Sequence, residues 1–245
     1  MIYAYCAITA TWHLGTTDTV RTKKKVTVEF SVGKFVVGTG TEPKRGFFLG
    51  RNPGFQESKI GFPFVGPAGQ ELGMYLLRSD LCRADFAVSN LYKFFTFDDE
   101  PPTKEQLDDH WPVLARELAI VSPQFLVLFG DQVSEYIFAR CGLEYRGLEA
   151  SHGLPFTAQL ELNSGLSGDV EKYPPTDQAG MDWYLELLAN APAEHQHLDL
   201  ILFPCIHPAA GLHSPMQMQL IHQDFLDLAR RAPSSRIRSR CVMAA

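Results

Sequence analysis

Gly46-Phe47-Phe48-Leu49 runs straight into Gly50-Arg51-Asn52-Pro53-Gly54. The first piece reads as a short buried strand. The second reads as a loop whose glycines and proline demand tight backbone geometry. The same grammar recurs along the chain. Phe86-Ala87-Val88 ends at Ser89-Asn90, Phe125-Leu126-Val127-Leu128-Phe129 ends at Gly130, and Leu198 to Phe203 ends at Pro204-Cys205-Ile206-His207-Pro208. Helical patterns separate these strands. Leu72, Tyr75, Leu76 and Leu77 fall at helical spacing within Ala68 to Leu81, and Val133 to Cys141 and Met216 to Arg230 also read as helices. Thr103 and Gln106 after Pro101-Pro102 fit a capping box, with Leu107, Trp111, Leu114 and Leu118 behind them. Strands alternating with helices predict a three-layer α/β/α fold around a central, mainly parallel, four-stranded sheet. Sites in such sheets lie at the carboxyl ends of the strands. The loops after Leu49, Val88 and Phe203 are therefore expected to converge on one crevice.

The 245 residues suffice for one domain with additions, and 45% hydrophobic residues provide for a packed core. The expected domain spans 44–233. Residues 1–43 read as an arm or hairpin, built on Val26-Thr27-Val28-Glu29-Phe30 and Lys34-Phe35-Val36-Val37. Residues 151–197, rich in Gly and Pro, read as an insertion with one helix near Met181–Ala189. Residues 234–245 read as a disordered tail. No apolar run is long enough to span a membrane. The stretch Met1 to Leu14 lacks the basic start and long apolar centre of a secretion signal, so an intracellular location, cytoplasm or nucleus, is expected. Five cysteines, at 6, 82, 141, 205 and 241, form no close pair, which argues against a disulfide framework and a zinc finger. The net charge of −6 weakly opposes nucleic-acid binding. It does not exclude it, because one basic or amide-lined groove is enough.

Four segments together resemble one family. Gly50-Arg51-Asn52-Pro53-Gly54, followed by Gly61-Phe62-Pro63-Phe64-Val65-Gly66-Pro67-Ala68-Gly69, resembles the first motif region of the uracil-DNA glycosylase superfamily, with the spacing of its thermophile-type, family-four members. Val88-Ser89-Asn90-Leu91-Tyr92-Lys93 resembles the family's second strand end, Pro123-Gln124 through Gly130 its central strand, and His207-Pro208-Ala209-Ala210-Gly211-Leu212 its late His-Pro loop. The resemblance covers roughly residues 44–150 and 198–230. It implies the glycosylase fold and hydrolysis, in base excision repair, of the bond between the sugar and a uracil or close relative in DNA. The nucleotide must then be flipped out of the stack. The sugar becomes cation-like and the base leaves with negative charge, so catalysis consists mostly of stabilising that charge and placing water.

The resemblance assigns roles to individual residues. Asn52 and His207 are the catalytic candidates. Asn52 occupies a slot that carries Asp in the archetypal enzymes and Asn in the mismatch-specific and single-strand-selective branches. An amide orients water but cannot take its proton, so slower chemistry is expected. His207 would donate to the base O2 as charge builds there. Phe64 would stack on the flipped base. Asn90 would donate to O4 and accept from N3–H, a pattern cytosine cannot satisfy. Gly50, Arg51 and Gly54 complete the substrate loop. Arg51 departs from the Glu usual in family four, and reads equally as a phosphate contact or a solvated surface residue. Gly54 stands where the archetypal enzymes carry a Tyr that excludes a 5-methyl group, so tolerance of 5-substituted uracils is expected. Lys93, Pro208, Leu212 and His213 are expected to face DNA, with Leu212 either a wedge or simple packing.

Family-four enzymes often hold an iron–sulfur cluster on four cysteines. Here His110 stands at one such position, before Trp111-Pro112, and no cysteine pair precedes the first strand. No cluster, and no other metal or cofactor, is expected. The expected partner is uracil-containing DNA, met by a monomer. Rival readings are a glycosylase fold that is catalytically weak or inactive and only binds nucleic acid, and an unrelated α/β enzyme. The chain has no G-x-G-x-x-G and no P-loop pattern to support the second. A purely structural protein would leave the polar residues at three strand ends unexplained.

Overall fold

In the computed structural model, which describes residues 34–97, 100–162, 182, 184, 186, 189 and 197–232, strands β1 (Gly46–Gly50), β2 (Phe86–Asn90) and β3 (Phe125–Phe129) are buried at every position. Such strands cannot alternate between core and solvent. Their odd and even residues supply two cores instead. Phe47, Leu49, Leu126 and Leu128 meet Leu107, Trp111, Leu114 and Leu118 of α3 (Lys104–Val121) and Val133 and Ile137 of α4 (Asp131–Arg140). Phe48, Val88, Val127 and Phe129 meet Leu72, Tyr75 and Leu76 of α2 (Pro67–Arg78) and Ile221, Phe225 and Leu228 of the closing helix (Pro215–Arg231). The short helix α1 (Phe55–Ile60) precedes α2. Helices cover both faces of the sheet, as the alternation of elements requires. Each buried Leu or Phe contributes about 1.5–3 kcal/mol relative to exposure, against about 0–1 for an exposed ion pair, so these two cores carry the fold.

The sheet has five strands, not four, in the order β2-β1-β3-β5-β4. Strand β5 (His197–Cys205) pairs parallel with β3, as β1 does with both its neighbours. The additional strand, β4 (Phe156–Glu161), pairs antiparallel with β5, from Phe156 opposite Leu202 to Glu161 opposite His197. It lies inside the stretch expected to be an excursion. A short helix, α5 (Leu148–Ser151), leads into it, and the closing helix is α6. Ala158 and Leu160 face the core while Thr157, Gln159 and Glu161 are exposed, the pattern of an edge strand covered on one face.

The expected capping box is present. Thr103 Oγ1 accepts from the Gln106 amide at 3.2 Å and Gln106 Oε1 accepts from the Thr103 amide at 2.8 Å. Before β1, Phe35, Val36 and Val37 are buried, the Val36 amide donates to the Lys93 carbonyl at 2.8 Å, and Thr39 bridges Val88. The first half of the expected N-terminal hairpin and the C-terminal tail lie outside the described residues, as does most of the chain between 163 and 196. Asp182, Tyr184, Glu186 and Ala189, where a helix is expected, are helical. Among the described residues no helix is long and apolar enough to cross a membrane.

Gly73 lies on the exposed side of α2, where an added Cβ meets nothing within 4 Å. Gly73→Ala is expected to stabilise the protein by about 0.5–1 kcal/mol, because glycine costs that much in a helix interior. Thermal melting would register a rise of roughly 1–4 °C.

Candidate active site

The four parallel strands end side by side, with Gly50 opposite Asn90 and Phe129 opposite Cys205. Their loops enclose a cavity of about 1130 Å³. Arg51, Asn52, Gly54, Phe64, Asn90, His207 and His213 all line it. Phe64 and Asn90 are brought together by close packing around Gly50. A Cβ on Gly50 would stand 2.5 Å from Asn90 Oδ1 and 2.9 Å from Phe64 Cζ. Gly50 therefore does not form the wall itself; the lack of a side chain there lets its neighbours converge.

Phe64 has a φ of 55°, a left-handed backbone that is costly for a bulky side chain. Such strain persists only where the surroundings fix it. Here the Phe64 ring packs against Phe129, with centroids 5.8 Å apart, and lies near-parallel to the His207 imidazole at 6.4 Å. His207 in turn is edge-on to Phe129 at 6.0 Å. Its Nδ1 accepts from the Ala209 amide at 3.2 Å and caps the 3-10 turn Pro208–Leu212. An acceptor at Nδ1 puts the proton of the neutral ring on Nε2, which makes Nε2 the donor.

Below this loop lies Asp224 of α6, 2% exposed. One carboxylate oxygen accepts from the Ile206 amide at 3.2 Å, and the other pairs with His152 Nδ1 at 2.8 Å. Burial pushes the Asp224 carboxyl above its usual range, and the His152 and Ile206 bonds draw it partly back. The His-Pro loop is thus tied to both α6 and the residues after α5.

Asn52 is held on every side. Arg51 Nε donates to its Oδ1 at 2.7 Å, and its Nδ2 donates to Thr96 Oγ1 at 3.1 Å and to the Pro53 carbonyl at 3.2 Å. Its oxygen keeps one further lone pair for a water. Arg51 therefore turns toward the amide and the cavity rather than standing as a solvated surface side chain.

Sequence reasoning missed Glu57. It is buried at 6% exposure, lines the cavity, and accepts from the Gly66 amide at 2.7 Å. A Cβ at Gly54 would meet its Oε2 at 2.7 Å, and one at Gly66 would meet its Oε1 at 3.0 Å. The carboxylate fills the space that the two glycines leave. The spacing of Glu57 three residues past Gly54, one helical turn in, was the available signal. Also missed were Phe129 at the end of β3, Thr96, Asp131 and Glu135, all of which line the cavity.

Two expected DNA contacts are corrected. Lys93 is completely buried, with Nζ bonded to Glu117 Oε2 at 2.8 Å and to Ser89 Oγ at 2.7 Å. Glu117 also accepts from the Gly38 amide at 2.6 Å. Burial holds the Lys93 pKa below its usual value, and Glu117 offsets only part of that. This ion pair braces the strand end that carries Asn90. Pro208 is buried too; at the first position of its 3-10 turn its fixed φ shapes the loop. Leu212 and His213 are exposed, and His213 lines the cavity.

The three described cysteines do not suit a four-thiolate cluster, and Cys6 and Cys241 lie outside the described residues. Cys82 precedes β2, Cys141 ends α4 and Cys205 ends β5, and no group of three or more metal-ligating side chains gathers among the described residues. His110 accepts from the Lys93 amide at 3.3 Å and packs among Tyr92, Phe94 and Phe35, with centroids 4.5, 5.6 and 5.9 Å away.

Comparison with known proteins points to one family. The family model described as the uracil DNA glycosylase superfamily matches residues 37–228. A type-4 uracil-DNA glycosylase of Sulfurisphaera tokodaii is 25% identical over 191 residues, 78% of this chain and 71% of that protein. One from Archaeoglobus fulgidus is 31% identical over 119 residues, 49% of this chain and 60% of that protein. One from Thermotoga maritima is 35% identical over 95 residues, 39% of this chain and 50% of that protein.

Proposed function

The chain belongs to the uracil DNA glycosylase superfamily, and on that premise we propose that it excises uracil from DNA by hydrolysing the N-glycosidic bond, as a monomer working inside the cell and without a cofactor. The supporting observation is the convergence of Asn90, Phe64, His207 and Asn52 on one cavity from three separate strand ends. The flipped base stacks on Phe64 and is read by the Asn90 amide. The C1′–N1 bond breaks with its electron pair going to the base. Negative charge reaches O2, where the Nε2–H of His207 meets it. A water aligned by the remaining lone pair of Asn52 adds its oxygen to C1′ and gives up a proton to solvent or to the departing base. Leu212 fills the space left in the stack, and His213 meets the backbone beside it.

The test is a labelled oligonucleotide carrying one uracil, treated with the protein and then alkali. Strand scission at the uracil, and none in a uracil-free control, is the expected result. The Arg51 contact with Asn52 favours one second reading, a weak or inactive enzyme that mainly binds. A guanidinium beside Asn52 opposes positive charge on a nearby sugar. Binding without any scission would establish that reading instead.

The space beside Gly54 bears on the choice of base. Its occupant is the Glu57 carboxylate rather than a tyrosine ring. A thymine methyl placed there would desolvate a charged group, whereas a 5-hydroxymethyl group would donate to it. Release of 5-hydroxymethyluracil should therefore exceed release of thymine. Glu57→Ala should narrow that gap by about tenfold or more, the scale of one charged hydrogen bond. Equal release of the two bases by the wild type would refute the assignment.

A further inference from the structure

Phe55, Phe95 and Phe97 form a ladder of rings that starts inside the cavity and leaves it. Phe55 and Phe95 both line the cavity. Their centroids are 5.9 Å apart and edge-on, and Phe95 and Phe97 continue the series at 5.1 Å. Phe55 is 58% exposed and Phe97 50%. Two large rings half in water are costly unless something covers them in use. The cation of Lys59 stands 4.0 Å from the Phe55 centroid. The cavity itself has several times the volume of one pyrimidine ring, and Phe55 and Phe95 line it together with Phe64.

We infer that this ladder is a stacking platform for the unpaired bases beside the flipped uracil, and that single-stranded DNA is the preferred substrate. The inference rests on the proposed action on DNA and deepens it. Exposed aromatic faces next to a cation are what successive unpaired bases and their phosphates require. Bases in a duplex stack on each other and offer no face to such a ladder. The ladder is also sequence-tolerant, because every base presents a π-face. A platform of this kind gains affinity from rings rather than from cations, which suits a chain with a net charge of −6.

The experiment measures fluorescence anisotropy of a labelled, uracil-free oligothymidylate with the full chain, alongside uracil release from matched single-stranded and duplex substrates. Phe97→Ala is expected to weaken binding of the single strand by about 5- to 150-fold, the effect of one lost base–ring stack. It should also reduce the preference for single-stranded over duplex uracil. Phe97→Trp, which keeps a stacking face, should restore both. Thermal melting of each variant separates folding from binding, since Phe97 is half in solvent. Equal binding by wild type and Phe97→Ala, or equal affinity of the wild type for single strand and duplex, would overturn the platform. Ring-dependent oligothymidylate binding without any uracil release would uphold the platform while defeating the glycosylase reading.

Discussion

Replacing His207 with alanine is expected to lower kcat for uracil release by about 100- to 1000-fold, the usual loss when one donor to a developing anion is removed. The size of the effect follows from how the donor is held. The Ala209 amide occupies Nδ1, so the ring has its proton at Nε2 before substrate arrives. Phe64 and Phe129 pack against the ring from two directions, and the Ile206 amide is fixed by buried Asp224. A donor aimed in advance needs no reorganisation during the reaction, which is where its advantage over water lies. KM should change less than kcat, because charge on O2 develops only as the bond breaks. His207→Asn supplies an alternative acceptor for the Ala209 amide but cannot reach as far. It should keep the loop and still be slow, which separates loss of the donor from loss of the cap. A kcat for His207→Ala within about tenfold of wild type would remove His207 from the chemistry.

Much of this site could be read from residue order, and the failures have physical causes. Buried parallel strands advertise themselves as apolar runs, so β1 and β3 were plain from Phe47-Phe48-Leu49 and Phe125–Phe129, and β5 from Leu200–Phe203 despite Asp199 before it. The edge strand β4 has a different signature. Phe156, Ala158, Leu160 and Leu162 alternate with Thr157, Gln159 and Glu161, a period of two hidden among the glycines and prolines that follow. Lys93 misled for a related reason. A lysine three residues past a strand end looks solvated, and only a partner from far along the chain, Glu117, makes its burial tolerable. Local sequence does not report partners of that kind. Glu57 was missed because a carboxylate among helix-forming residues reads as a surface charge. Its meaning comes from two glycines, Gly54 and Gly66, that leave room for it on either side.

Gly69→Ala should be far more damaging than Gly73→Ala, although both add one methyl to the same helix. At Gly69 the new Cβ would lie 1.8 Å from the Phe64 carbonyl oxygen and 2.3 Å from its carbonyl carbon. Those are backbone atoms, and no rotamer change can move them aside. The clash arises because Phe64, at its left-handed φ of 55°, folds the chain back against the first turn of α2. Relief requires either that α2 retreat from the sheet or that the Phe64 turn unwind. Forcing a methyl into packed surroundings typically costs about 1–3 kcal/mol, which corresponds to a fall of roughly 2–12 °C in Tm for a domain of this size. The functional loss should exceed what stability alone predicts, because the Phe64 ring leaves its place over Gly50. Losing its stack on the base lowers kcat/KM by about 5- to 150-fold even in molecules that remain folded. Uracil release measured well below the melting range separates the two contributions. A Gly69→Ala protein that melts and cleaves like wild type would mean that Phe64 does not rest on α2, and the pocket would then lack the ring on which the base is proposed to lie.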